Sequence, residues 1–394
     1  MSFKNPKQEL ILSRLREPRR FIQAIVGPRQ VGKTTAARQA LCDSGLPWLY
    51  FSSCDALLPG LAWISERFEE AREKLRREGL SELILAIDDI ERIEGWSDAV
   101  KREWDDDSFH DRGIKLVLIC NRCRLLESGH SDSLAGRFEE IRMGHWTFSK
   151  MRERFGTTLE QYLYFGGFPG AAAFCSDEDG FRAFVQGSVA DAALKDILMH
   201  CGVRKPALLE QEFRLGAARS GQILSYTRML SSLRDAGNTV TLSGYAALLE
   251  QSGLLRALGK FSPAGARRRA SIPKFQVFDN ALKALFTPCS FQSARADPAI
   301  WAGIAESAIG AYIANQAFLH HLEASYWREG SDEVDFVLRK NGRVAAIEIM
   351  GSARGNARGL VRFARKFGPC RTLAVGDGGI SPEEFLATEL DGIF

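Results

Sequence analysis

Residues 27–34 read GPRQVGKT, and this stretch fits the phosphate-binding pattern GxxxxGK[ST] at every fixed position. The apolar run Phe21 to Val26 precedes it as a predicted buried strand, and the residues after it predict a helix. Glycine-bearing turns allow consecutive backbone N–H groups to wrap a phosphate chain, and the following helix adds the positive end of its dipole. The stretch therefore predicts a site for a purine nucleoside triphosphate, with ATP and Mg²⁺ as its ligands.

Two residues of this loop have expected roles of their own. Lys33 is expected to reach the β- and γ-phosphates, and the Thr34 hydroxyl is expected to bind Mg²⁺. The alternative, a glycine-rich turn without a ligand, is disfavoured because every fixed position is filled. The predicted nucleotide-binding residues are Gly27, Pro28, Arg29, Gln30, Val31, Gly32, Lys33, Thr34 and Thr35.

Two aspartates follow the strand-like run LILAI. Asp88 is predicted to assist Mg²⁺ binding from the end of a neighbouring strand, and Asp89 to orient the water that attacks ATP. The hydrolysing subclass usually has glutamate at the second position. Aspartate is one methylene shorter, so we expect slow turnover. The alternative is an acidic pair that faces solvent, which the preceding loop disfavours.

Two further residues are predicted catalytic positions. Asn121 ends the next strand-like run and would sense the γ-phosphate; a turn asparagine is the alternative. Arg137 is a candidate arginine finger, acting either in cis or on a neighbouring subunit, and a surface ion pair is the alternative.

The whole sequence fits a multidomain globular chain. Its 394 residues suggest two or three domains, and 45% hydrophobic with 26% charged residues is ordinary for a soluble protein. The net charge of +3 neither requires nor excludes nucleic acid. Strands alternating with helices up to about residue 121 predict a parallel sheet with right-handed crossovers. No signal peptide or membrane span is predicted. The eight cysteines are scattered without framework spacing and are interpreted as ordinary reduced thiols, so the cytoplasm is the expected compartment.

The chain resembles prokaryotic AAA-superfamily ATPases, related to archaeal STAND-like ATPases, that carry a C-terminal domain of unknown function. The landmarks of the resemblance are GPRQVGKTT, IDDIERIEGW, LAGRFEEIRM, TLEQYLYFGGFPG and EVDFVLRKNGRVAAIEIM. It implies an α/β fold in which a P-loop ATPase core of RecA/AAA-like parallel-sheet type is followed by three further segments. The predicted domains are the core at 1–150, a helical lid at 151–204, a winged-helix-like domain at 205–290 and a restriction-endonuclease-like α/β domain at 291–394.

The last of these domains has candidate metal ligands and one departure from an active nuclease. A restriction-type site needs carboxylates for Mg²⁺ and a lysine that helps to activate water, placed as Asp and then Glu-x-Lys on adjacent strands. Asp335 and Glu348 have these positions, and Glu306 is a possible third ligand. The residue two beyond Glu348 is Met350, and Lys340 in the turn is a possible substitute for the missing lysine. Lost or weakened cleavage is preferred over an active nuclease.

The middle domain offers a possible contact with DNA. In a winged helix the second helix enters the major groove, and the wing here would carry Arg267, Arg268 and Arg269 to phosphates. The segment Thr239 to Tyr245 has no Arg or Lys, so any contact with DNA is expected to be weakly sequence-specific, and a protein partner competes equally.

Three functional hypotheses follow. The leading one is a Mg²⁺-dependent ATPase that hydrolyses slowly and acts as a switch for the winged-helix and degenerate nuclease-like modules. The second is an ATP-regulated DNA endonuclease, and the third is a nucleotide-sensing scaffold with little turnover. The sequence leaves open whether the chain is a monomer or a homo-oligomer.

Overall fold

The structure is a computed structural model that describes residues 5, 7–57, 59–121, 134–234, 237–263, 271–351 and 358–394. The chain divides into two compact units, residues 1–143 and 144–394. None of the helices in these described ranges combines the length and apolar character that a membrane span requires.

The first unit is a five-stranded parallel sheet with helices on both faces. The strands lie in the order β2-β3-β4-β1-β5, and all neighbouring pairs are parallel. The elements are α1 (Gln8–Arg16), β1 (Ile22–Val26), α2 (Lys33–Asp43), β2 (Trp48–Ser52), α3 (Leu61–Glu78), β3 (Leu83–Asp88), α4 (Trp96–Phe109), β4 (Ile114–Cys120) and β5 (Phe138–Arg142). The predicted parallel α/β core is confirmed.

Alternation of side chains along the strands explains the two-sided core. Leu85 on β3 packs with residues such as Phe68 of α3 and Val100 of α4 on one face. Ile84, the neighbouring strand residue, packs with Ala37 of α2 on the other face. All five residues of β1 are buried, as expected for an interior strand of a parallel sheet.

The second unit begins with helices and continues with a short hairpin. Three helices, α9 to α11, precede the antiparallel pair β6 and β7. The elements in order are α5 (Phe148–Phe155), α6 (Leu159–Phe165), α7 (Glu178–Ala183), a π-helix (Phe184–Asp191), α8 (Ala192–His200), α9 (Pro206–Ala218), α10 (Tyr226–Leu230), α11 (Thr239–Gln251), β6 (Leu255–Leu258) and β7 (Lys274–Val277). Arg267, Arg268 and Arg269 lie outside the described residues.

The last part of the second unit is a four-stranded sheet in the order β11-β10-β9-β8. Strands β8, β9 and β10 are antiparallel neighbours, and β11 joins β10 in parallel. The elements are α12 (Ala281–Leu285), α13 (Phe291–Ala296), α14 (Pro298–Leu319), β8 (Glu323–Glu329), β9 (Asp332–Lys340), β10 (Arg343–Met350), α15 (Arg358–Phe367), β11 (Arg371–Gly376) and α16 (Pro382–Ala387). The predicted α/β character of this segment is confirmed.

Candidate nucleotide site

The predicted phosphate loop joins the carboxyl end of β1 to the amino end of α2. Its backbone is tightly bent, because Gln30 and Gly32 have φ values of 63° and 89°. Gly27 approaches the neighbouring chain closely, since a Cβ there would lie 2.1 Å from the Met143 carbonyl oxygen. Only glycine fits this approach, and it leaves the backbone free to curve around a ligand.

Lys33 is the central cation of the site. Its Nζ donates hydrogen bonds to the carbonyl oxygens of Gly27 and Pro28 at 2.9 and 2.8 Å, and to Oδ1 of Asn121 at 2.9 Å. Burial lowers the pKa of Lys33, whereas the nearby carboxylates of Glu91 and Asp88 raise it. The loop thus holds its lysine through neutral oxygen acceptors, which a phosphate can replace.

Asp88 lies at the carboxyl end of β3, opposite the start of α2. Its Oδ2 accepts hydrogen bonds from the Thr34 hydroxyl at 2.6 Å and from the Tyr50 hydroxyl at 2.7 Å. Burial raises the pKa of Asp88, and both of these hydrogen bonds oppose that shift. Hydroxyl and carboxylate oxygens are the donors that Mg²⁺ prefers, so the pair Thr34 and Asp88 fits this ion.

Asp89 has its side-chain contact with Cys54 rather than with the phosphate loop. Its φ is 54°, and its Oδ2 accepts a hydrogen bond from Cys54 Sγ at 3.1 Å, while Cys54 Sγ itself accepts from Arg92 at 2.7 Å. Among the carboxylates that raise the pKa of Lys33, Glu91 and Asp88 contribute more than Asp89. The water-orienting role of Asp89 remains a prediction.

Asn121 and Glu91 form a second polar pair beside Lys33. The Asn121 backbone N–H donates to Oε1 of the buried Glu91 at 2.8 Å, while the Asn121 side chain accepts from Lys33. The carboxyl ends of β3 and β4 meet here, because Asp88 pairs with Ile119. Binding or loss of a phosphate at Lys33 would therefore affect the hydrogen bond between Lys33 and Asn121. A sensor of the γ-phosphate needs such a contact.

Arg137 lies at the opposite edge of the sheet. Arg137 precedes β5, whose first residue pairs with Ile22 at the start of β1. The phosphate loop follows the other end of β1, and a strand of this length spans about 13 Å. The Arg137 guanidinium holds Asp105 in two hydrogen bonds, at 2.8 and 3.1 Å. This position does not support an arginine finger in cis, and the surface ion pair is present. A role toward a neighbouring subunit stays a prediction.

Residues 19–152 match the family described as AAA domain. The N-terminal unit is an AAA domain. Residues 156–292 match a domain of unknown function, DUF8612, and residues 302–379 match another, DUF4143. The predicted membership is confirmed at this level, as an AAA-superfamily core followed by a C-terminal domain of unknown function.

The similarity of the chain to known structures is weak. RuvB of Thermotoga maritima is 18% identical over 64% of this chain and 87% of its own, with a TM-score of 0.37. The ORC1 protein of Aeropyrum pernix, solved in complex with DNA, is 14% identical over 74% and 94%, with a TM-score of 0.32. Both TM-scores are below 0.5, so neither similarity supports a conclusion about ligands or partners. No match was found among curated proteins.

A second polar cluster lies in the C-terminal segment, where the sequence predicted a nuclease-like metal site. Phe336 of β9 pairs with Ile347 of β10, and Asp335 and Glu348 are the next residues along these two antiparallel strands. Asp335 therefore lies beside Glu348. Glu306 comes from α14, as predicted, and is also near the cluster. Met350 ends β10 and brings no charge.

Lysines contact this cluster differently from the prediction. Lys340 is wrong as the substitute, because it ends β9 at the hairpin, five residues and about 17 Å along the strand from Asp335, and pairs with Asp391. Lys274, the first residue of β7, donates from Nζ to Asp335 Oδ1 at 2.7 Å.

Sequence reasoning therefore missed three contacts. Tyr50 and Glu91 are separated from the loop in sequence and carry no motif of their own. Lys274 carried a signal, because a charged residue directly before the mostly apolar run Phe275 to Phe278 has to find a partner when it is buried.

Proposed function

We propose that the chain is a Mg²⁺-dependent ATPase that hydrolyses slowly, with the triphosphate state controlling the C-terminal modules. The observation that carries this proposal is the geometry at the carboxyl edge of the sheet. Lys33 is held by exchangeable acceptors, and Thr34 joins Asp88 through a 2.6 Å hydrogen bond. Bound Mg²⁺ would neutralise charge on the β- and γ-phosphates, and Thr34 and Asp88 are the residues that would hold it.

The chain's own residues would do the remaining work. The loop backbone would bind the phosphates, Lys33 would exchange its carbonyl contacts for phosphate oxygens, and Asn121 would lose or keep its bond to Lys33 according to whether the γ-phosphate is present. Asp89 or Glu91 would orient water. Because the Asn121 N–H donates a hydrogen bond to Glu91, the presence or loss of the γ-phosphate would also affect the Glu91 carboxylate.

ATP turnover in the full chain tests this proposal. Lys33→Ala is expected to reduce turnover by about 10²–10³-fold, because a preorganised positive charge is lost where negative charge develops. Asp89→Ala is expected to reduce it too. Arg76→Ala is the matched control, since this residue is exposed on α3 and distant in sequence from the loop. Equal rates in the wild type, Lys33→Ala and Asp89→Ala would contradict an ATPase at this site.

The role of a switch for the remaining segments is part of the same proposal. We keep the division into a lid at 151–204, a winged-helix-like segment at 205–290 and a degenerate nuclease-like segment at 291–394. Three helices followed by a two-stranded hairpin support the second of these. Limited proteolysis of the full chain with ADP and with a non-hydrolysable ATP analogue should give different cleavage patterns, and identical patterns would contradict switching.

A nucleotide-controlled scaffold for a protein partner is the second candidate. Helix α11 in the proposed winged-helix segment carries no Arg or Lys, and Val240 at its start is 77% exposed. A helix surface without basic side chains suits a protein better than DNA phosphates. Binding of ATP without release of phosphate, unaffected by added duplex DNA, would favour this candidate over the ATPase.

A further inference from the structure

The cluster around Asp335 contains a cation of its own. Lys274 Nζ lies 2.7 Å from Asp335, 3.7 Å from Glu333 and 4.0 Å from Glu306. The lysine comes from the segment that matches DUF8612, whereas the three carboxylates come from α14 and β9, in the segment that matches DUF4143. An ammonium is thus surrounded by carboxylates from another part of the second unit.

Both carboxylate oxygens of Asp335 accept hydrogen bonds from within the protein. Oδ1 accepts from Lys274, and Oδ2 accepts from the Ile349 backbone N–H at 2.9 Å. Burial works against the charged form of Lys274, but Asp335, Glu306 and Glu333 outweigh this effect and raise its pKa. The ammonium of Lys274 is therefore stabilised in its charged form by the carboxylates around it, with Asp335 as its nearest partner.

Glu348 is the fourth carboxyl group near this cluster, and one of its oxygens, Oε2, has no hydrogen-bond partner among the described residues. The residue is 4% exposed. Burial and the neighbouring charge of Asp335 raise the pKa of Glu348.

With the Lys274 ammonium among them, these carboxylates do not fit a metal ion. Within the described ranges, no group of three or more His, Cys, Asp or Glu has the geometry of a metal site. The side chain of Lys274 is 1% exposed, whereas those of Glu306 and Glu333 are 24% and 25% exposed. A DNA phosphate that approached would meet two carboxylates before it met the ammonium, and they would repel it.

We propose that Lys274 is a built-in counter-ion that replaces the metal ion of the nuclease-like site and joins the β7 hairpin to the C-terminal sheet. The cluster is then a fixed structural joint, and the segment does not cleave. This inference rests on the proposed non-cleaving role of that segment, but it does not depend on ATP turnover.

Binding of Mn²⁺ to the full chain, followed by electron paramagnetic resonance without nucleotide, tests the proposal. Every sample carries Asp88→Asn, so that the nucleotide site does not contribute. The chain with Lys274 intact is expected to bind no Mn²⁺ at the cluster. Lys274→Met is expected to gain a bound Mn²⁺, and the further change Asp335→Asn is expected to abolish it. Lys340→Met is the matched control and is expected to gain nothing.

Folding of the variants is controlled in the same series. Lys274→Met leaves Asp335 buried without its partner, and the double variant Lys274→Met, Asp335→Asn removes both charges. Urea unfolding is expected to show the double variant more stable than Lys274→Met alone. A double variant that is no more stable would contradict the counter-ion pair.

Three other results would overturn the proposal. The first is Mn²⁺ binding with Lys274 intact that Asp335→Asn removes. The second is a folded Lys274→Met that gains no Mn²⁺. The third is nicking of supercoiled plasmid by the wild type with Mg²⁺ or Mn²⁺ that is lost in both Lys274→Met and Asp335→Asn. That outcome would make Lys274 the lysine of an active nuclease. Failure of ATP turnover alone would leave these readouts unchanged.

Discussion

Replacing Glu212 with glutamine should make the stability of the second unit less sensitive to alkaline pH. Glu212 lies on α9, is fully buried, and neither of its carboxyl oxygens has a hydrogen-bond partner among the described residues. Burial raises the pKa of Glu212 to about 9 from its ordinary value of 4.5. The folded protein therefore carries a neutral carboxylic acid here at neutral pH, whereas the unfolded chain carries a carboxylate.

The sign follows from proton uptake. Below about pH 4.5 both states are protonated, and the group does not change the free energy of unfolding. Between that pH and about 9 the folded state holds a proton that the unfolded state has released, so the wild type loses about 1.4 kcal/mol of stability for each pH unit. At pH 7.5 the accumulated loss is about 4 kcal/mol. Above about 9 the slope disappears, because both states are ionised.

Glu212→Gln cannot ionise and removes this slope. A buried amide without partners has its own cost, about 1–3 kcal/mol, but this cost does not depend on pH. Urea unfolding followed by circular dichroism, at pH steps from about 5 to about 9, should show the gap between variant and wild type growing with pH. The matched control is Glu210→Gln on the same helix, where the side chain is 56% exposed and pairs with Arg214.

A gap that stays constant with pH would refute this reasoning. It would mean that Glu212 gains a charged or donating partner that keeps it ionised in the folded state. A gap of equal slope in Glu210→Gln would also refute it, because an exposed carboxylate on the same helix has no desolvation to relieve.

Three further predictions concern the AAA domain. Tyr50→Phe removes a donor to Asp88 and should raise the Mg²⁺ concentration for half-maximal ATP turnover by about fivefold, the equivalent of one hydrogen bond; an unchanged Mg²⁺ dependence would contradict this. Glu91→Gln should lower turnover more than Asp89→Asn, since Glu91 contacts Asn121 whereas Asp89 is held by a cysteine; the opposite order in a phosphate-release assay would restore the role of Asp89. Arg137→Ala should leave turnover unchanged at high dilution, and a fall confined to concentrated protein would reveal a finger that acts on a neighbouring subunit.

The sheet and the loop were predictable because their signals are local. An apolar strand, a turn with glycine at fixed positions and a helix follow one another within about 20 residues, and each constrains the backbone by short-range sterics. The partners of the loop were less predictable. Tyr50 reaches Asp88 from the middle of the neighbouring strand β2, and only the pairing of β2 with β3 brings the two together.

The position of Arg137 also depends on strand order and was therefore not predictable from local sequence. In sequence it follows the nucleotide-site strands and resembles a finger that could reach back. The insertion of β1 between β4 and β5 decides otherwise, because β5 runs parallel to β1 and Arg137 comes before its first residue. Strand order is a long-range property, and no spacing along the chain encodes it.

Lys33 and Lys274 differ in what surrounds them, and this difference separates a binding site from a structural joint. Lys33 donates to two carbonyls and one amide oxygen. Releasing these neutral acceptors costs little when a phosphate takes their place, because each exchange replaces one hydrogen bond with a stronger, charge-assisted one. Lys274 donates to the carboxylate of Asp335, and any ligand that displaced it would leave a buried charge without compensation. The same ammonium group is therefore prepared to receive an anion in the first unit and is committed to one in the second.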